Sequence, residues 1–72
     1  MPYFICNQIP NNNGEHEVHI QNCIFLPAIQ NRVFVGEFPD VYIAINHLKQ
    51  IHAKQYYTFR GCPFCCYLSN DE

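Results

Sequence analysis

Only four side chains carry a fixed positive charge, Arg32, Lys49, Lys54 and Arg60, and they are scattered along the chain. Sequence-independent affinity for nucleic acid grows with the number of phosphates neutralised, so this is a thin supply for gripping a phosphate backbone. Charged residues of both signs make up 14% of the chain and form no block of like charge. No glycine-rich phosphate loop or serine-nucleophile motif occurs, and Glu15, Glu17, Glu37 and Asp40 show no pairing suited to acid–base work. These gaps argue against an enzyme. No apolar stretch approaches the roughly 20 residues needed to span a bilayer, so no membrane partner is expected. The opening Met1-Pro2-Tyr3-Phe4-Ile5-Cys6 lacks a basic leader and a long apolar run, which points to a cytoplasmic location.

What the chain does have is apolar bulk and cysteine. Its 72 residues are 49% hydrophobic and 15% aromatic, with a formal charge of −2, a globular composition that fits one small domain over residues 1–72. At this size apolar burial nearly cancels the entropy of ordering the chain, so an added crosslink is expected. Five cysteines, an odd number, in a chain without export features read as metal ligands or free thiols before they read as a disulfide frame.

Residues 3–6 form an aromatic and β-branched run that predicts a strand. Residues 7–14 hold Pro10, three consecutive asparagines and the turn pair Asn13-Gly14, and predict a solvent loop. Glu17-Val18-His19-Ile20 resumes as a strand, with Val18 and Ile20 on one face and His19 on the other. Ile24-Phe25-Leu26 is short and ends at Pro27, which disfavours a helix there. Residues 32–37 form the clearest strand, with Gly36 marking a bulge or its end. One helix is predicted, capped by Asp40, with Val41, Ala44, Ile45, Leu48 and Ile51 as its apolar stripe and Ile43 on its back. His47 falls on the solvent side of that helix, and His52 borders the stripe as a structural residue. Residues 67–72 are expected to fray. The sum is an α+β fold, a small and mainly antiparallel sheet packed by one helix.

The stretch around which the chemistry gathers is Gly61-Cys62-Pro63-Phe64-Cys65-Cys66. A Cys-x-x-Cys turn sets two sulfurs close enough for one metal ion or one disulfide. His19 and Cys23 complete an H-x3-C-x38-C-x2-C pattern, and structural zinc sites draw four nitrogen and sulfur ligands in this way from two distant segments. Closing so long a loop is worth roughly 4 kcal/mol in a chain-entropy picture. Apparent zinc binding to small peptides is on the order of 10–16 kcal/mol, several times larger. His16 or Cys6 could replace His19 as the fourth ligand. Cys66, next to Cys65, is expected to point away from the same ion as a small buried hydrophobe.

The run Gly14-Glu15-His16-Glu17-Val18-His19-x3-Cys23, then Leu26-Pro27, Asn31-Arg32-x3-Gly36-Glu37-Phe38, a helix and Gly61-Cys62-x2-Cys65-Cys66 resembles a family of short, uncharacterised bacterial proteins over residues 3 to 66. More distantly the layout is similar to the metal-binding N-terminal domain of the Ada DNA-repair protein and to small Ada-like zinc modules attached to nucleases. The resemblance implies a Zn2+ site from His19, Cys23, Cys62 and Cys65. It does not imply methyl transfer, because the cysteine that accepts the methyl group in Ada is replaced here by His19, which offers no thiolate.

Three other readings compete. Cys62-Pro63-Phe64-Cys65 has the form of a glutaredoxin-like active site, but in that fold the motif opens a helix near the start and most of the domain follows it. A rubredoxin-like iron site from Cys6, Cys23, Cys62 and Cys65 lacks the second Cys-x2-Cys knuckle. A nucleic-acid accessory domain rests on the Ada-like analogy and is opposed by the shortage of cations. The expectation carried forward is a zinc-stabilised protein-interaction module whose partner is another protein or a second copy, with contacts from the aromatic segment 56–59 and Ile43.

Overall fold

The structure, a computed structural model of the chain, describes residues 1–55 and 57–66; Tyr56 and the tail expected to fray, residues 67–72, lie outside the described residues. Four strands, β1 (Tyr3–Asn7), β2 (Glu15–Ile20), β3 (Arg32–Glu37) and β4 (Thr58–Gly61), form one sheet in the order β3-β1-β2-β4. A single α-helix, α1 (Val41–Ile51), lies between β3 and β4 in the chain, and a short 3-10 turn (Ile29–Asn31) precedes β3. β1 pairs antiparallel with β2 and with β3, whereas β2 and β4 run parallel. The α+β class with one helix on a small sheet matches the sequence reading, and the parallel pair makes that sheet mixed.

The β1–β2 turn is built by Asn11, whose side-chain oxygen accepts from the N–H groups of Asn13 and Glu15 while its carbonyl accepts from Gly14. Gly14 sits at φ +80°, a conformation that costs glycine little. Asn7, assigned to the loop from its polar neighbours, is instead the last residue of β1 and pairs with Arg32. At the other end of β3, Phe4 pairs with Gly36 and Ile5 with Phe34, so Val35 is an extra residue and the strand carries a bulge at the glycine, which has φ +128°.

Asp40 caps α1 by accepting from the Ile43 N–H at 3.0 Å. Val41, Ala44 and Leu48 are buried against Phe4, Cys6, Val18 and Cys66, with Ile45 partly covered. Fully burying a side chain such as Leu48 is worth about 1.5–3 kcal/mol. Ile51 departs from the expected stripe: at the last position of the helix, beyond Leu48, it is 59% exposed. His47 is half-buried rather than fully turned to solvent, because its ring packs on Phe38 at 5.0 Å. Ile43 is exposed, as its place on the back of the helix requires. Gly61 ends β4 where the helix approaches the sheet, and a Cβ there would lie 3.2 Å from that of Cys66 and 3.4 Å from a methyl of Val41.

Candidate metal centre

Alternation along β2 sends Val18 toward the helix and His19 to the opposite face, and both are completely buried. The chain leaves β2 and turns back at once, with Cys23 N–H donating to the Ile20 carbonyl at 3.1 Å. β4 runs beside β2 in the same direction and extends one bond further, from Cys62 N–H to the Val18 carbonyl at 2.9 Å. A tight turn follows, closed by Cys66 N–H donating to the Cys62 carbonyl. The ends of the two parallel strands therefore deliver two pairs of side chains to one point. The ligand atoms of His19, Cys23, Cys62 and Cys65 all lie within 4.8 Å of one another.

The spacing of two of the sulfurs fits a tetrahedral site. With zinc–sulfur bonds of about 2.3 Å, a regular tetrahedron places its sulfurs about 3.8 Å apart. Cys23 Sγ and Cys62 Sγ are separated by 3.9 Å. Each sulfur also receives a backbone N–H: Phe25 donates to Cys23 at 3.4 Å, Phe64 to Cys62 at 3.4 Å and Ile20 to Cys65 at 3.3 Å. Such donors stabilise negative charge on sulfur, the form in which it binds metal. The first two bonds have the same local form, Cys-x-Phe with the N–H two residues on, and the two phenyl rings pack together at 4.2 Å.

His19 offers the fourth ligand through a fixed tautomer. Its Nε2 lies 2.9 Å from the Asn7 Oδ1, and since the amide oxygen only accepts, Nε2 carries the proton. Nδ1 then bears a lone pair. It is a buried side-chain nitrogen with no hydrogen-bond partner among the described residues. A buried, unpartnered acceptor costs folding energy unless something binds it. A metal ion among the three sulfurs answers that need, and the Asn7 contact is the outer-shell support that metal-bound imidazoles ordinarily have.

Titration behaviour agrees. Burial holds His19 below its usual 6.5, against a smaller opposing pull from Glu17, so the ring is neutral and ready to ligate near pH 7. Burial pushes the Cys65 thiol up, so a metal must displace its proton on binding.

The alternatives fall on the other side of the sheet. His16 Nδ1 donates to the Asn7 carbonyl at 3.0 Å, and the ring packs on Tyr57 at 4.9 Å and Phe59 at 5.7 Å. His52 joins the same aromatic cluster, with Nδ1 against Gln55 Oε1 at 3.1 Å, the satisfied structural role expected of it. Cys6 is buried in the helix-side core, its pKa pushed up to about 12 by that burial. Neither His16 nor Cys6 belongs to the four-residue group. Cys66 also lies in the core and donates to the Val18 carbonyl at 3.5 Å, although its sulfur is only 3.6 Å from that of Cys65.

Asn7 is the functional residue that the sequence did not disclose. Its diagonal neighbour His19 is apparent only once Ile5 is known to face His19 across the β1–β2 pair. Within the aromatic segment 56–59, Phe59 is partly buried against the core and Tyr57 is exposed, while Tyr56 lies outside the described residues; Phe25 and Phe64 on the ligand turns are exposed as well.

Fold and site together define a class: an α+β domain whose mixed four-stranded sheet carries a one-histidine, three-cysteine group that could hold a metal ion and is compatible with zinc. The chain matches no family model, no curated protein and no solved structure.

Proposed function

We propose that this is a zinc-stabilised protein-interaction module in which His19, Cys23, Cys62 and Cys65 hold one structural Zn2+. The observation that carries the metal is the buried His19 Nδ1, which lacks a partner among the described residues, on a histidine grouped with three N–H-supported sulfurs. A mixed nitrogen and sulfur set, two of whose sulfurs stand 3.9 Å apart, suits zinc. Four protein ligands leave no open coordination position, which favours a structural ion over a catalytic one. Interaction with protein is favoured by exposed apolar side chains on the ligand turns, Ile24 at 87%, Phe25 at 49% and Phe64 at 63%. No helix among the described residues is long and apolar enough to cross a membrane.

Elemental analysis of protein purified without added metal tests the site. About one zinc per chain is expected, lost in Cys62→Ser and Cys65→Ser and kept in Cys66→Ser. Metal-free protein whose unfolding is unaffected by added zinc overturns the reading, as does iron in place of zinc. Equal loss in all three variants removes Cys66 from its assigned place outside the site.

A further inference from the structure

We propose that the space between the C-terminal end of α1 and the helix side of the sheet is a binding pocket for a small, neutral, single-ring aromatic molecule that carries an O–H or N–H donor. The pocket lies across the sheet from the metal ligands, and it does not depend on the zinc reading.

The pocket arises where the core stops. Two cross-strand pairs on the helix side of the sheet, Cys6 with Val33 and His16 with Phe59, form its floor. Leu48 and His52, four positions apart and so on one face at the end of α1, form its roof. Leu48 is the last buried residue of the apolar stripe, because Ile51 is exposed. The helix therefore sends no aliphatic side chain into the space beyond Leu48. Tyr57 closes one side of that space, its ring 5.3 Å from that of His52.

Size, charge and wall chemistry select the occupant. The volume is about 200 Å³. An apolar cavity of about 150 Å³ is enough to hold benzene, and the sites of drug-sized molecules begin near about 300 Å³, so one six-membered ring with a small substituent fits. No carboxylate, ammonium or guanidinium lines the pocket, and at its bottom Leu48 and Cys6 are only 1% and 2% exposed. An ion there would lose its water and gain no counter-charge, which a neutral ring avoids. The four rings of the pocket pack on one another with centroids 4.9 to 6.3 Å apart. They offer a fifth ring the edge-to-face contacts they already make among themselves.

The histidines add the polar selection. His16 Nδ1 donates to the Asn7 carbonyl at 3.0 Å, and His52 Nδ1 to Gln55 Oε1 at 3.1 Å. A neutral imidazole carries one N–H, so each Nε2 is left as an acceptor, without a hydrogen-bond partner among the described residues. Two such acceptors on the walls favour a ligand that donates.

The test uses the full chain as purified, 13C- and 15N-labelled, titrated in the NMR tube with phenol, toluene and benzoate. Phenol is expected to shift the Leu48 and Val33 methyl signals and the His16 and His52 ring signals along one saturable curve. Toluene should bind in the same place roughly 2–12-fold more weakly, the worth of one neutral hydrogen bond, and benzoate should move none of these signals. His16→Phe and His52→Phe each keep a ring and remove Nε2. In at least one of them phenol should lose its advantage while toluene still binds, a result that loss of packing alone does not produce. Val33→Phe, at a position 37% exposed on the edge strand, should fill the pocket and abolish binding of both. If that variant misfolds, the two histidine variants still decide. The proposal is overturned if phenol shows no saturation up to its solubility limit, if the shifts fall on Phe25 and Phe64 instead, if toluene or benzoate binds as tightly as phenol, or if the advantage of phenol survives in both histidine variants.

Discussion

Asn7 accepts from His19 through its side chain and from His16 through its backbone carbonyl, so one residue sets the proton position on both rings. The outcomes differ because the rings lie on opposite faces of β2: His19 is left with a buried free lone pair, His16 with a place in an aromatic cluster. Outer-shell partners of this kind commonly change metal affinity about 10–100-fold when removed. Asn7→Ala should therefore weaken zinc binding by that factor in a chelator competition, and Asn7→Asp should recover much of it. His16→Ala should lower thermal stability through loss of ring packing and leave zinc stoichiometry unchanged. Sequence alone could offer both histidines as ligands, because the choice depends on the strand register and not on residue type.

At the level of elements, the helix was the most legible part of the chain. Asp40, the apolar spacing from Val41 to Leu48 and the preceding proline all specify the same start, and the cap bond is present. Asp40→Ala should cost about 1 kcal/mol, read as a lowered midpoint in denaturant with an unchanged slope. β3 was equally clear from its β-branched and aromatic residues. β4 was less so: its four residues carry little pattern, and its parallel partner β2 is separated from it by β3 and α1. The pairing is decided by what α1 covers and by the close approach at Gly61, neither of which shows in local periodicity. The Cys-x-x-Cys pair was visible as chemistry before its strand was visible as structure.

The whole molecule joins two distant segments at one point, and its stability should follow that point. Chelation of zinc should convert cooperative unfolding into a broad transition or abolish it, measured by near-ultraviolet circular dichroism at 25 °C. Acid acts in the same direction. His19 has a folded pKa below its ordinary 6.5, so as the pH falls below that value the unfolded chain takes up a proton that the folded chain refuses, and stability declines. With Zn2+ bound as proposed, proton competition for the ligands should release it over the acid range as well. Alkali acts through Cys6. Its ordinary value of 9.0 rises to about 12 on folding, so stability is fully present below pH 9 and falls as pH rises from there toward 12, where the unfolded chain gives up a proton that the folded one keeps. Denaturant midpoints collected across pH should therefore show a plateau between these two limits, and a midpoint that climbs under either extreme would contradict the burial of the corresponding residue.

The bulge in β3 has a consequence for how copies of this protein crowd together. A sheet with two regular edges can recruit a strand on each side, and successive additions have no natural stopping point, which is the geometry of fibril growth. Here the β3 edge is kinked at Val35 and Gly36, whereas β4 keeps an unbroken register with β2 among the described residues. A molecule with a single usable edge can pair once and then has nothing left to offer. It can form a closed pair but cannot serve as a link in an endless chain.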